Sequence, residues 1–372
     1  MRKKIMVAGY LCLDMTPHLD SANLHSEEIK ELFVPGKIIP VSSVTMGCGG
    51  AVANTGLALK KFGADVALVG GIGKDAFGKF ISEYFEKYDA AGDLLVRDDL
   101  STSFSIVIVP PRDDRFFLVN AGSNDVFNTG FLNDGLLKEC SVFHFGYPTI
   151  MKKMYGDEGK ELIAMYKKVH DLGIVTSMDT AMSDPASEAM KCDWKDIFRR
   201  LFPYLDIFTP SVEELCLMTD PELYAEWVKR ANGRDMTQVL SLEKDILPLA
   251  DRIISLGAGV LMLKCGLPGI LLRTGPSERI SGIPGLSSGW ENLTIFEKSF
   301  KPDRVLSGLG AGDCSIAAFL KSIYDGKSPQ DCLKLAAAAG ADNVTAYDSL
   351  SGLKPLSDCE ARIRRGWKKY DE

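Results

Sequence analysis

Short runs that are apolar nearly throughout, separated by stretches of helical periodicity, constrain this chain more than any other feature. They are Ile5–Leu11, Asp65–Val69, Ser141–Phe145, Ile174–Met178, Asp206–Thr209 and Val260–Leu263. A strand with one face in water alternates polar and apolar residues, whereas a strand of a parallel sheet is covered on both faces and reads as a continuous apolar run. Between these runs, Ala51–Phe62, Phe77–Tyr88, Glu158–Asp171 and Ser211–Met218 read as helices. In the second, Phe77, Ile81, Tyr84, Phe85 and Tyr88 recur at helical spacing, so that stripe faces the core. The expectation is an α/β fold, doubly wound, with a mostly parallel sheet flanked by helices and one domain over residues 1–372.

Two stretches break the rhythm. Residues 15–46 carry several Pro and Gly and no helical period, and Ser103–Val109 and Phe116–Asn120 flank Pro110-Pro-Arg-Asp-Asp114 as two strands around a turn. Both are assigned to a small β-strand lid, formed by about 15–46 and 98–122, over one end of the sheet. Residues 220–250 read as polar and helical, and 275–300 as a long loop rich in Gly, Ser and Pro.

Lys and Arg number 43 against 50 Asp and Glu, for a net charge of −7, with no basic block. Nucleic acid and anionic membrane are therefore not the expected partners. No apolar run approaches the ~20 residues of a membrane span, and the short N-terminal run ending at Asp14 reads as a first strand rather than a signal peptide. Nine scattered cysteines, without a Cys-x-x-Cys, read as reduced thiols in a cytoplasmic protein. The four histidines, His18, His25, His144 and His170, show no metal spacing, and His144 reads as a core residue.

Chemistry concentrates in glycine-bearing segments. Ser307-Gly-Leu-Gly-Ala-Gly-Asp313 runs straight into an apolar helix. The first N–H groups of a helix lack internal partners and lie at the positive end of its dipole. Gly310 and Gly312 let backbone approach an anion closely, and phosphate is the expected anion. A carboxylate beside such a hole, Asp313, suits a general base that takes the proton of an attacking hydroxyl. By itself the segment reads equally as a glycine turn with an Asp cap. Gly47-Cys-Gly-Gly50-Ala-Val-Ala-Asn54 enters another helix, with Asn54 able to bond hydroxyls, and alone reads equally as a plain strand-to-helix turn. Gly73 through Gly78-Lys79 fits G-x-x-x-x-G-K, but Phe80 follows where a Mg²⁺-holding hydroxyl is needed, so it is not a P-loop. No G-x-G-x-x-G follows the first strand, against a dinucleotide fold.

In order and spacing these segments resemble the PfkB family of carbohydrate kinases, with its ribokinase-like fold. Gly49-Gly50-x-x-Ala53-Asn54 is similar to the family's N-terminal substrate signature, and Gly70-x-x-Gly73-x-Asp75-x-x-Gly78 to the element after it. Gly310-Ala-Gly-Asp313 is similar to the C-terminal catalytic signature, and Asp14 stands where the family keeps a sugar-binding aspartate. The resemblance implies an ATP-dependent phosphotransferase that moves the γ-phosphoryl group to a hydroxyl of a small sugar or sugar derivative, as in ribokinase and fructokinase. It implies that Asp313 is the base, and that Gly310, Ala311 and Gly312 form the anion hole. Asp14 and Asn54 would hold sugar hydroxyls, Gly49 and Gly50 would line the pocket floor, and Asn124 would lie at a substrate-side turn. Thr209-Pro-Ser211-Val-Glu-Glu214 is similar to the family's N-x-x-E element, with Ser211 for Asn on the nucleotide side and Glu214 organising Mg²⁺ through water. A capping Ser with an acid in the first turn is the competing reading. Lys264-Cys-Gly266-Leu-Pro-Gly269 is similar to the nucleotide-side V-T-x-G-x-x-G turn. Lys264 replaces Thr there, and reads either as reaching an ATP phosphate or as a solvated charge at a strand end.

Where the family has D-T before x-G-A-G-D, this chain has Ser307-Gly308. Those positions are associated with a monovalent cation, so potassium dependence is in doubt. A nucleoside kinase is the alternative reading, with Phe104, Phe116 and Phe117 as a slot for the base. A sugar acid or phosphate would need cations such as Lys37, Arg112 and Arg115. A sugar-binding regulator without catalysis is the third reading. The lid is expected to close over the sugar and exclude water. Its β edge invites pairing with a second copy of the chain as a homodimer.

Overall fold

The computed structural model describes residues 4–19, 34–109, 116–286 and 289–370. Its strands, in chain order, are β1 (Lys4–Gly9), β2 (Cys12–Leu19), β3 (Val41–Gly49), β4 (Val66–Val69), β5 (Gly71–Gly73), β6 (Leu95–Arg97), β7 (Phe104–Ile108), β8 (Phe116–Asn120), β9 (Cys140–Gly146), β10 (Val175–Asp179), β11 (Ile207–Phe208), β12 (Val260–Lys264), β13 (Gly269–Thr274) and β14 (Thr294–Lys298). Eight of them form one sheet in the order β14-β13-β12-β11-β10-β9-β1-β4. From β4 to β12 every pairing is parallel, and β13 and β14 close the far edge antiparallel.

The continuous apolar character of the strands has the expected cause. Successive side chains point to opposite faces, and both faces are covered. Ile5, Val7, Val142 and Met262 pack against α1 (Ala51–Lys61), α5 (Ala311–Tyr324) and α6 (Pro329–Asn343). Met6, Ala8, Phe143 and Leu263 pack on the other face against α3 (Lys152–His170) and α4 (Val212–Thr219). On α2 (Ala76–Glu86), Ile81 and Phe85 are buried, with Phe77, Tyr84 and Tyr88 packed beside them, as the aromatic stripe requires.

The stretches expected to form a lid contribute a second sheet of four strands, in the order β3-β2-β7-β8. β7 and β8 form the expected hairpin, Ile106 facing Leu118. Its turn, with Arg112 and Arg115, lies outside the described residues, as does His25. Asp75 ties the lid root to α2. One carboxylate oxygen accepts from Gly78 N at 2.8 Å as the N-cap, and the other accepts from Thr102 N at 2.9 Å.

Two expectations need correction. Residues 275–300 are not merely a loop, since they contribute edge strand β14, whose Ile295 and Phe296 pack on opposite faces of the sheet. The surrounding Gly, Ser and Pro hide so short a strand. The helix expected from Glu158 has a further turn before it: α3 starts at Lys152, breaks at Gly156 to Gly159 with non-helical angles, and then runs on to His170. All nine cysteines are free. No described helix is long and apolar enough to cross a membrane.

Strand order reverses beside β1, because the chain passes to β4 on one side and to β9 on the other. In open α/β sheets the crevice at the carboxyl ends of such strands is where ligands bind. Here it is bounded by the ends of β1, β9, β10 and β12 and by the N-termini of α1 and α5.

Candidate active site

α5 begins at Gly310, whose φ of 74° is left-handed and where a Cβ would lie 2.5 Å from the Ser349 side chain. Only glycine turns the chain here without a clash. The Ala311 N–H is partly engaged by the Gly308 carbonyl at 3.3 Å, while the N–H groups of Gly312 and Asp313 find no acceptor among the described residues. The helix therefore presents free donors at its positive end.

Asp313 is 6% exposed and thoroughly hydrogen-bonded. Asn54 Nδ2 donates to one oxygen at 3.2 Å, Thr55 Oγ1 to the other at 3.0 Å, and the Tyr147 hydroxyl reaches both at 2.8 Å. Burial pushes the Asp313 carboxyl up, while the Lys264 charge and these three donors pull it down. The Tyr147 phenol is itself pushed well up, by burial and by the charges of Asp313 and Asp179, so it keeps its proton and donates. Asn54 and Thr55 stand on the second turn of α1. That helix starts at Gly50, where φ is 88° and a Cβ would lie 2.3 Å from the Tyr10 carbonyl oxygen.

Lys264 ends β12 and points under the α5 turn, its side chain 3.3–3.6 Å from where a Cβ of Gly312 would be. Its ammonium lies 2.6 Å from Asp179 Oδ1, at the end of β10. Burial opposes the ammonium charge, but Asp179, Glu214 and Asp313 hold its proton on. It is therefore a largely buried, ion-paired cation beneath the first turn of α5, not a solvated strand end. Burial, Glu214 and Asp313 push the Asp179 carboxyl up, against the pull of Lys264.

Ser211 and Glu214 form the capping box of α4: Ser211 Oγ accepts from Glu214 N at 3.2 Å and Glu214 Oε2 accepts from Ser211 N at 2.9 Å. Glu214 Oε2 also accepts from Thr180 Oγ1 at 2.8 Å, which anchors the acid beside Asp179. Ser211 thus has a capping partner. Gly266 and Gly269 border a cavity of about 560 Å³ that opens over Lys264, Ala311 and Gly312. Leu267, Ile270, Phe300, Val305 and Tyr370 supply its apolar walls, the balance of a site for a flat heterocycle with a charged tail.

Asp14 lies at the lid root. A Cβ on Gly49 would sit 2.0 Å from its Oδ2, and the Cys12 thiol donates to Oδ1 at 3.3 Å. Burial lifts its carboxyl to about 6, against hydrogen bonds from Cys12 and Ser105. Asn124 has a different environment from the one expected. Its amide accepts from Leu11 N at 3.1 Å and donates to Leu11 O at 3.0 Å, which braces the β1–β2 junction. His144 is a core residue: Nδ1 lies 2.9 Å from Ser177 Oγ, and burial pulls the ring down to about 3, so it is neutral.

Of the residues proposed for a base slot, Phe104 packs edge-on against Phe77 and Phe117 is half-exposed, while the side chain of Phe116 lies outside the described residues. Lys37 is exposed in a turn outside the crevice-forming elements. Thr55, Tyr147, Asp179 and Thr180 were not legible as site residues. Tyr147, Asp179 and Thr180 end or follow buried strands, and that position at the carboxyl edge was the available signal.

The model of the pfkB family carbohydrate kinases matches residues 13–354. A ribokinase of Lactococcus lactis is 20% identical over 319 residues, covering 85% of both chains. The fold superposes on Arabidopsis thaliana ribokinase complexed with ribose and ATP, with a TM-score of 0.71, 19% identity, and coverage of 98% of this chain and 99% of that one. It superposes on Xylella fastidiosa fructokinase with bound ATP at a TM-score of 0.70, 17% identity and the same coverage.

Proposed function

Because the chain belongs to the pfkB family of carbohydrate kinases, we propose that it transfers the γ-phosphoryl group of ATP to a hydroxyl of a small sugar, with Asp313 as the base. The observation that carries this reading is the buried Asp313 carboxylate beside unpartnered N–H groups at the α5 terminus. ATP takes the 560 Å³ cavity, with its base among the apolar walls and its phosphates toward Gly312 and Lys264. The acceptor hydroxyl gives its proton to Asp313 as its oxygen bonds to phosphorus and ADP leaves. The N–H groups of Gly312 and Asp313 and the Lys264 ammonium hold the oxygens of the transferring group. Phosphoryl transfer needs positioning and charge stabilisation of this kind more than covalent help.

Mg²⁺ fits the site. Asp179, Glu214 and Asp313 act on the Lys264 ammonium together, and burial, with the charges of Glu214 and Asp313 added to it, raises the Asp179 carboxyl against the pull of Lys264. Among the described residues no metal cage of three or more side chains forms, so phosphates and water would hold the ion, with Glu214 and Asp179 behind the water. Bound there, it neutralises phosphate charge. A monovalent cation does not fit as well: Ser307, in place of an acid, closes its own turn by accepting from Leu309 N at 3.1 Å.

The sugar lies between the lid root and α1, where Asp14 is the candidate for its hydroxyls and Gly49 and Gly50 leave room. Nine free thiols suit a reducing cytoplasm. The lid pairs with a second copy through its exposed Val44, Met46, Phe117, Leu118 and Val119. ADP release with Mg-ATP across sugars, sugar acids, sugar phosphates and nucleosides tests the reaction. Acceptor-dependent turnover supports it, the best acceptor names the substrate, and a nucleoside optimum would move the reading to a nucleoside kinase. Sugar binding with no turnover would make the chain a regulator.

A further inference from the structure

Among the described residues, Tyr147 is the one side-chain donor on Asp313 that does not come from α1. It follows the last residue of β9 and holds φ 70°, ψ 38°, a left-handed conformation that is costly for a bulky side chain. That conformation carries the ring back over the α5 terminus, 6.1 Å from the Tyr10 ring. The result is an alcohol O–H at 2.8 Å from each oxygen of the base. Asn54 and Thr55 occupy the other approaches to the carboxylate.

We propose that the Tyr147 hydroxyl is a placeholder for the acceptor hydroxyl of the substrate, and guards Asp313 against water until the sugar displaces it. The inference rests on Asp313 being the base. To be deprotonated, an acceptor hydroxyl has to donate to Asp313, and Tyr147 makes that same contact with both oxygens. Each carboxylate oxygen already takes one other donor, Asn54 on Oδ2 and Thr55 on Oδ1, so the acceptor hydroxyl has to take the place that Tyr147 holds. A base with an open face beside bound ATP would activate water and hydrolyse the nucleotide, and exclusion of water from the reacting centre is the usual defence. A phenol is a fitting guard, because its ring is apolar and its hydroxyl satisfies the carboxylate that burial would otherwise leave short of donors. The sugar then brings the one hydroxyl that replaces it, so chemistry becomes conditional on a correctly seated acceptor.

The test compares wild type, Tyr147→Phe and Asp313→Asn in ADP release from Mg-ATP, with and without D-ribose or D-fructose, whichever is the better acceptor. In Tyr147→Phe, ADP release without sugar should rise relative to sugar-dependent release by on the order of tenfold, the worth of one hydrogen bond to a charged group. KM for the sugar should fall, since nothing has to be displaced, with kcat held within a few-fold. An unchanged ratio of the two rates overturns the proposal, because a purely structural tyrosine would lower both together. Phosphate found on Tyr147 by intact-mass and peptide mapping after incubation with ATP alone also overturns it, because the hydroxyl would then be an acceptor. Sugar turnover that persists in Asp313→Asn would instead sink the base assignment itself. Should Tyr147→Phe fail to fold, 3-fluorotyrosine placed at position 147 gives a second readout. Its ¹⁹F resonance should shift when sugar is added without nucleotide, and a resonance that stays put while calorimetry records sugar binding overturns the placeholder.

Discussion

Lys264 Nζ lies 2.6 Å from Asp179 Oδ1, with the two side chains 14% and 3% exposed, directly beneath the turn that begins α5. A cation so placed balances the Asp179 carboxylate, and in the proposed reaction it also lends positive charge to the start of α5 above. Burial of such a pair is costly unless it stays paired.

Lys264→Met should therefore cost more than a lost contact. It leaves Asp179 buried without its counter-charge, beside Glu214 and Asp313, and should destabilise the fold by about 3–5 kcal/mol. Lys264→Met with Asp179→Asn should regain most of that stability in urea melts, while sugar phosphorylation stays low. Full activity in the double variant would show that the lysine charge has no part in the transfer.

Asp313→Asn keeps the size of the side chain and its acceptor oxygen, but removes the base. Turnover should fall by roughly 10²–10⁴ with the circular dichroism unchanged. A loss of less than tenfold would mean that the acceptor proton goes elsewhere.

The pH dependence of sugar use should follow Asp14. Its carboxyl is lifted from 3.8 to about 6, chiefly by burial, with Cys12, Ser105 and Cys48 facing it. A carboxylate accepts sugar hydroxyls best when ionised, so kcat/KM for the sugar should fall as pH drops below about 6. Asp14→Asn should flatten that limb. The stability sign is opposite. An acid whose folded value lies above its unfolded one binds its proton more tightly when folded, so its share of stability is present below pH 3.8 and is lost as pH rises through about 6.

Asp75 stands in a segment that resembles a motif of the family, and its two backbone hydrogen bonds hold the scaffold. Asp75→Ala removes the acceptor of both Gly78 N and Thr102 N. It should cost about 1–2 kcal/mol of stability, read by thermal melting, with kcat near wild type. A kcat loss as large as that of Asp313→Asn would place it in the chemistry.

Light scattering should report a dimer, and Leu118→Asp, on the exposed lid edge, should convert it to monomer with the fold intact. A wild-type monomer at micromolar concentration would dismiss the lid interface.

What could be read from the chain follows from how local each signal is. The parallel core, the hairpin of the lid, and the glycine turns before α1 and α5 depend on residues a few positions apart. Period, caps and glycine punctuation report such features directly. Asp313 was legible as a candidate because the glycine turn, the helix start and the carboxylate share one segment. Lys264 was visible only as two alternatives, solvated or phosphate-bound, and the short edge strand β14 disappeared into a Gly-rich background.

The sequence by itself determined the α/β architecture and the placement of Asp313 at the start of a glycine-led helix. Tertiary structure alone decided which groups surround Asp313. Asn54 and Asp313 are 259 residues apart, Tyr147 and Asp313 166, and Asp179 and Lys264 85. Only the winding of the sheet brings the ends of β9, β10 and β12 and the starts of α1 and α5 into one crevice. Ser211 found a capping partner and Asn124 a backbone to brace for the same reason: a polar side chain satisfies the donor or acceptor that folding places beside it, and its spacing along the chain does not reveal which one that is.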